Sequence, residues 1–233
     1  MTLNIQTFKT RAVTAVVFVA VMLSGLLING FLFSLLFMII LFGCLWEFSK
    51  INKIINQKNS LKFYIAAFFY IIFPVIMMLG LASDFHYMDL IFKGKYYPVL
   101  PCLIIFSIWI NDTMAYLVGS FIGKTPFSKI SPKKTWEGTI GGAILCVAII
   151  ALYTILFDAN HEFTLKFNMT ISLVCAVFGT IGDLLESKLK RMANIKDSGS
   201  LMPGHGGFLD RFDSLLIAVP AVCLYIVILF LFS

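Results

Sequence analysis

Long apolar stretches separated by short polar ones dominate the chain. A hydrocarbon core about 30 Å thick needs roughly 20 apolar residues per helix, with about 17 to 25 tolerated. Seven stretches approach that length: 12–28, 31–46, 63–82, 97–122, 139–157, 167–181 and 215–232. The first two are separated only by Asn29-Gly30, a turn-forming pair that predicts a short helical hairpin. In the fourth stretch, 97–110 is too short alone, and the apolar pattern resumes after Asn111-Asp112-Thr113. It reads as one long helix with a polar interruption. The pattern predicts an all-α integral membrane protein, a polytopic bundle of about seven transmembrane helices. A re-entrant segment around 85–92 would change the number of crossings.

Composition supports this reading. Of 233 residues, 60% are hydrophobic and 13% charged, and the mean hydropathy is +0.94. Soluble domains run near half apolar and a quarter charged, so the excess here faces lipid. Disordered and collagen-like chains are excluded by the same figures. The formal net charge of +6 sits in loops between spans, where it sets orientation and does not indicate a nucleic-acid partner. Cys44, Cys102, Cys146, Cys175 and Cys223 all lie in apolar stretches without CxxC spacing, and read as small core residues. Lys9 and Arg11 precede the first apolar run, but no Ala-x-Ala site follows, so that run is expected to be an uncleaved span.

Cytoplasmic loops carry the excess of Lys and Arg. With the N-terminus inside, Lys9, Arg11, Lys50, Lys53, Lys58, Lys62, Lys124, Lys129, Lys133, Lys134, Lys188, Lys190, Arg191, Lys196 and Arg211 fall on the cytoplasmic side. Only Lys93, Lys95 and Lys166 fall outside. No internal repeat is visible. The expectation is a single polytopic domain, with N-terminal spans over 1–97 and a catalytic half over 98–233. Asp112, Glu137, Asp183, Glu186, Asp197, Asp210 and Asp213 also lie at or near the cytoplasmic side, so the chemistry is expected to face the cytoplasm.

The densest polar stretch starts at Gly182-Asp183 and ends at Asp213. If the sixth helix continues past Ile181, then Asp183, Glu186, Ser187 and Lys190 share one face at i, i+3, i+4 and i+7. Such a face suits a metal, a phosphate or both. Lys188 falls off that face and reads as a solvated charge. Asp183 follows an apolar run at a depth where a carboxylate is costly without a cation. Pro203-Gly204-His205-Gly206-Gly207 lets backbone approach a ligand and aim N–H groups at an anion. Asp210, with Asp183, makes a carboxylate pair suited to Mg²⁺, which favours oxygen ligands completed by substrate phosphates. Asp213 alone reads as a dipole-stabilised acid at a helix start. Upstream, Asp112 is not explained by helix packing, whereas Gly119 and Gly123 are. Ser131, Lys133 and Lys134 precede a helix N-terminus, a setting that suits phosphate oxygens. Gly119 to Thr125 imitates a phosphate-binding P-loop, but has three residues between its glycines where four are needed, and no preceding strand.

Taken together, these residues resemble the signature of the phosphatidate cytidylyltransferase (CDP-diacylglycerol synthase) family. The resemblance is carried by Ser187, Lys190, Arg191, Lys196, Asp197, Gly199, Pro203, His205, Gly206, Gly207, Asp210, Arg211 and Asp213. Asn111-Asp112-Thr113, Ala115-Tyr116 and the block from Ser131 to Gly138 extend it over about residues 108–215. The chain is short for that family, many of whose members carry more N-terminal spans, and Met202 stands where a large aliphatic residue is expected. The resemblance implies transfer of a cytidylyl group from CTP to phosphatidate with release of pyrophosphate, in a bacterial-type inner membrane. It implies Mg²⁺ on Asp183 and Asp210, with a second, monovalent cation left open. Lys190, Arg191 and His205 join the two acids as expected catalytic residues. Asp112, Ser131, Lys133, Lys134, Ser187, Lys196, Asp197, Gly206, Gly207, Arg211 and Asp213 are expected to bind substrate. Pairing of protomers is left open.

Three other readings compete. A CTP-dependent polyprenol kinase would attack the γ-phosphorus and release CDP. An alcohol phosphatidyltransferase would carry an Asp-Gly-x-x-Ala-Arg element, which the chain lacks. A transporter would place its charges at the midplane and relate two halves by a repeat.

Overall fold

The computed structural model describes residues 5–56, 61–82, 96–157, 163–199 and 206–232, with side chains from Ala12 onward. Seven helices account for nearly all of them: α1 (Ile5–Leu27), α2 (Gly30–Asn56), α3 (Leu61–Leu81), α4 (Val99–Ile122), α5 (Trp136–Phe157), α6 (Leu165–Met192) and α7 (Leu209–Phe232). The last six are long and apolar enough to cross a membrane, while the apolar part of α1, Ala12–Leu27, is shorter. The chain is a polytopic membrane helix bundle. The re-entrant segment expected around 85–92 lies outside the described residues.

Contacts divide the chain into two compact units. One comprises Met1–Pro98 and Leu189–Phe212, the other Val99–Lys188 and Asp213–Ser233.

In the first unit, the Asn29-Gly30 hairpin forms as expected. Asn29 Oδ1 accepts the Leu32 N–H at 2.9 Å and caps α2, and the tight connection lets Gly25 pack on Leu36. One stripe of α2 is buried: Phe33, Phe37, Ile40, Cys44, Phe48 and Ile51, with Glu47 among them at 4% exposure. Within α3, Phe68–Ile72 forms a π turn just before Pro74. Proline has no N–H to give the carbonyl four residues back and its ring crowds that carbonyl, so the extra residue in the turn relieves both.

In the second unit, α4 is the one long helix expected from sequence. Asn111-Asp112-Thr113 does not interrupt it, and the helix runs unbroken over 24 residues. Asn, Asp and Thr are weak helix formers but not breakers. Thr113 Oγ1 folds back onto the Trp109 carbonyl at 2.8 Å, so its hydroxyl is satisfied inside the helix. Along α5 every fourth residue from Gly138 to Thr154 is buried. Gly138 and Gly142 bring this stripe against Ala115 and Gly119 of α4, a small-residue seam of the kind membrane helices use for close approach. Deeper along it, the Cys146 thiol donates to the Ser107 carbonyl at 3.2 Å. Helix α6 continues past Ile181 to Met192, as the shared face of Asp183 and Ser187 requires. All five cysteines are free thiols.

Candidate functional site

The second unit holds a cavity of about 590 Å³ built from three elements. α4 contributes Asn111 and Asp112, the loop before α5 contributes Ser131, Lys133 and Lys134, and α6 contributes Asp183. Five of the residues expected from sequence to bind substrate or metal therefore line one space.

The loop is held rigidly enough to aim its lysines. Phe127 N–H donates to the Lys134 carbonyl at 2.7 Å, Trp136 N–H to the Thr125 carbonyl at 3.0 Å, and Lys134 N–H to the Ser131 carbonyl at 3.1 Å. The Phe127 and Trp136 rings meet edge to face at 4.5 Å. Thr135 Oγ1 caps α5 by accepting the Gly138 N–H at 3.1 Å. From the first turn of α5, the Glu137 carboxylate accepts the N–H groups of Lys124 and Thr125 at 3.2 Å and the Thr125 hydroxyl at 2.8 Å. Sequence counted Glu137 as a cytoplasmic-side acid and as part of the Ser131–Gly138 block, without a role of its own. The structure makes it the brace of this loop.

Lys134 Nζ pairs with Asp183 Oδ2, and the two side chains are 27% and 32% exposed. Ser187 Oγ, one turn on, donates to Asp183 Oδ1 at 3.3 Å. Asp213 of α7 is buried, its Oδ1 accepting the Ser214 N–H at 2.7 Å. It lies close enough to Asp183, Asp112 and Lys134 to interact with each electrostatically. Gly182 lets the α6 backbone meet the backbone of Asp213 and Ser214, where any Cβ would collide with the Asp213 carbonyl. Asn111, 2% exposed, donates to Asp112 Oδ1 at 3.4 Å, and its Oδ1 has no hydrogen-bond partner among the described residues.

The first unit organises the remaining signature residues around two carboxylates. Asp210, in the first turn of α7, accepts Lys190 Nζ at 2.6 Å on Oδ1. On Oδ2 it accepts Ser198 N–H at 2.9 Å, Ser198 Oγ at 2.9 Å and Gly207 N–H at 2.8 Å. Gly206 has φ +80°, and a Cβ there would crowd Asp210 Oδ2, so both the backbone conformation and the space demand glycine. Asn194 ends α6 with φ 56°. The N–H of Ile195 returns to the Lys190 carbonyl at 3.0 Å and that of Asn194 to the Arg191 carbonyl at 3.1 Å, a Schellman cap. Arg211 lies over the Phe18 ring at 5.9 Å. Arg191, Lys196 and Asp197 are exposed. His205, expected to be catalytic, lies outside the described residues.

The second carboxylate was missed by sequence reasoning. Glu47 of α2 accepts Ser198 Oγ at 2.7 Å, Phe208 N–H at 3.0 Å and Leu209 N–H at 2.8 Å. It thereby caps the start of α7 from another helix. Cβ atoms on Gly199 or Gly207 would collide with it, which gives Gly199 a role that the anion-loop reading did not and Gly207 a packing reason of its own. The available signal was an acid inside an apolar stripe, but ending the second span at Trp46 placed Glu47 outside it.

Asn111 Oδ1 and the carboxylates of Asp112 and Asp183 are hard oxygen donors at one cavity, and Lys134 already places a positive charge on Asp183. That set suits Mg²⁺, which takes one or two carboxylates and leaves its other positions to water and substrate phosphates. Among the described residues no three His, Cys, Asp or Glu side chains gather into a metal-ligand set.

Comparison with known proteins now defines the class. The model of the cytidylyltransferase family matches residues 54–229, and the chain belongs to that family. Among curated relatives, it is similar to proteins named phosphatidate cytidylyltransferase. That of Staphylococcus aureus (strain COL) is 36% identical over 175 residues, covering 75% of this chain and 64% of the relative. That of Staphylococcus saprophyticus is 35% identical over 175 residues, with the same shares covered. That of Bacillus subtilis (strain 168) is 41% identical over 128 residues, covering 54% of this chain and 46% of the relative. The chain spans less than two thirds of the length of these relatives. Glu47 precedes the residues matched by the family model.

Proposed function

We propose that the protein transfers the cytidylyl group of CTP to phosphatidate, giving CDP-diacylglycerol and pyrophosphate. The observation that carries this reading is the cavity shared by Lys133, Lys134, Ser131, Asp112 and Asp183 in a chain of the cytidylyltransferase family. A phosphate oxygen of the lipid forms the new bond to the α-phosphorus of CTP. The bond from that phosphorus to the β,γ-diphosphate oxygen breaks, and pyrophosphate leaves with the electron pair. The nucleophile is already anionic, so no strong base is required, and the barrier lies in bringing two polyanions into line. Lys133 and Lys134 lower that repulsion, and Ser131 and Asn111 orient phosphate oxygens. A divalent ion, when bound, neutralises charge on the triphosphate. Asp183 and Asp210, the acids matched by the family resemblance, are each proposed as ligands.

The excess of Lys and Arg in one set of loops supports a cytoplasmic N-terminus and a cytoplasmic site in a bacterial inner membrane. The deciding experiment supplies the reconstituted protein with phosphatidate, α-labelled CTP and Mg²⁺. Label is expected in lipid with matching pyrophosphate, with loss on chelation and recovery on adding Mg²⁺. Label from γ-labelled CTP appearing in a polyprenol, with release of CDP, would overturn the reading in favour of a kinase.

A further inference from the structure

We propose that Glu137 is a positioning residue for the transfer reaction, whose carboxylate acts through Thr125 to fix where Lys134 stands at the polar cavity. Glu137 itself does not line that cavity, and its role rests on the cytidylyl-transfer reading. Lys133 and Lys134 do not make the cavity basic, because Asp112 and Asp183 line the same space and balance them. Net charge therefore does not draw a triphosphate in. What differs is the wall each charge comes from. Both lysines belong to the loop before α5, whereas the acids belong to α4 and α6. Where that loop stands decides whether a lysine meets a phosphate oxygen or only the neighbouring acid.

The chain of contacts from Glu137 to Lys134 has two links. In the first, the carboxylate accepts the N–H groups of Lys124 and Thr125 and the Thr125 hydroxyl. In the second, the segment after Thr125 pairs antiparallel with the one before Trp136. Trp136 N–H donates to the Thr125 carbonyl, and Phe127 N–H to the Lys134 carbonyl. The Lys134 main chain thus hangs from the segment that Glu137 holds, and its side chain reaches from there to Asp183 of α6. All these partners of the carboxylate are donors, so the position calls for a group that only accepts. A Gln amide would turn its NH₂ against one of them. The bonds lie at an exposed edge of the loop, where water replaces a lost partner, so their loss costs little stability. Their effect is on placement. A lysine on the triphosphate holds ground state and transition state alike, so a misplaced one shows in KM more than in kcat.

The test joins hydrogen exchange, anion binding and a double-mutant cycle on the full chain. Glu137→Gln should speed exchange at the Lys124 and Thr125 amides while the melting temperature stays within a few degrees of wild type. It should raise KM for CTP about tenfold, with kcat and KM for phosphatidate little changed. Thr125→Val, which removes one donor, should give a smaller rise of the same kind. In a Lys134→Met background, Glu137→Gln should add less than about twofold, because the group it positions is gone. Losses that multiply in the double variant, an unchanged KM for CTP, or a loss that follows a collapse in melting temperature would each overturn the positioning role. Equilibrium dialysis with inorganic triphosphate supplies the arm that needs no turnover, and affinity there should fall in Glu137→Gln with the same dependence on Lys134. If that pattern holds while the wild type transfers no label, Glu137 still positions an anion-binding lysine and the cytidylyl-transfer reading is what fails.

Discussion

Lys134 and Asp183 form an ion pair between the loop that precedes α5 and the C-terminal third of α6. Neither side chain is fully buried, and a pair so exposed contributes no more than about 1 kcal/mol to stability. Its position at a cavity with Lys133, Ser131 and Asp112 gives it a role in binding charge.

Asp183→Asn is therefore expected to lower transfer by about 100- to 1,000-fold, the scale of losing one charge-stabilising group at a reacting centre. Lys134→Met should raise KM for CTP, with its melting temperature close to wild type. Initial rates with α-labelled CTP, measured beside thermal unfolding in the same detergent, check both. A matching collapse in melting temperature would make the pair structural.

Glu47 holds Ser198, Phe208 and Leu209 from a different helix. In Glu47→Gln the amide nitrogen must face N–H or O–H donors, and stability should fall by about 1–3 kcal/mol, the cost of a buried donor left unsatisfied. Hydrogen exchange at the amides of Gly207, Phe208 and Leu209 should accelerate. Unchanged protection there would remove Glu47 from the architecture of the loop.

Gly206, at φ +80°, is expected to resist any side chain. Gly206→Ala should cost about 1–2 kcal/mol from backbone conformation alone, and the added methyl displaces Asp210 Oδ2 and lowers transfer. Asn194→Gly is the matched control, since it relaxes the other left-handed residue and should leave transfer intact. Equal activity in the two variants would contradict this account.

Gly142 places the α5 backbone against Ala115, where an added Cβ would come within 2.7 Å of the Ala115 Cβ. Gly142→Leu should force α4 and α5 apart at a cost of about 1–3 kcal/mol, read as a lower unfolding temperature. Because Asp112 and Lys134 stand on the two sides of that seam, the affinity for CTP should fall with it.

By itself the sequence determined the class of fold, most helix positions and the residues worth testing, because these depend on local quantities. Apolar length decides what spans a membrane. The 3.6-residue period put Ser187 beside Asp183, and the hydroxyl bond between them is in place. Where local reading failed, packing had the deciding share. Glu47 was invisible as a functional residue because its partners lie more than 150 positions away in the chain, and no spacing rule reaches that far. Tertiary structure alone chose Lys134 as the partner of Asp183 and Lys190 as the partner of Asp210. Charge type says that acids and bases will pair, but only the phase and approach of the helices says which.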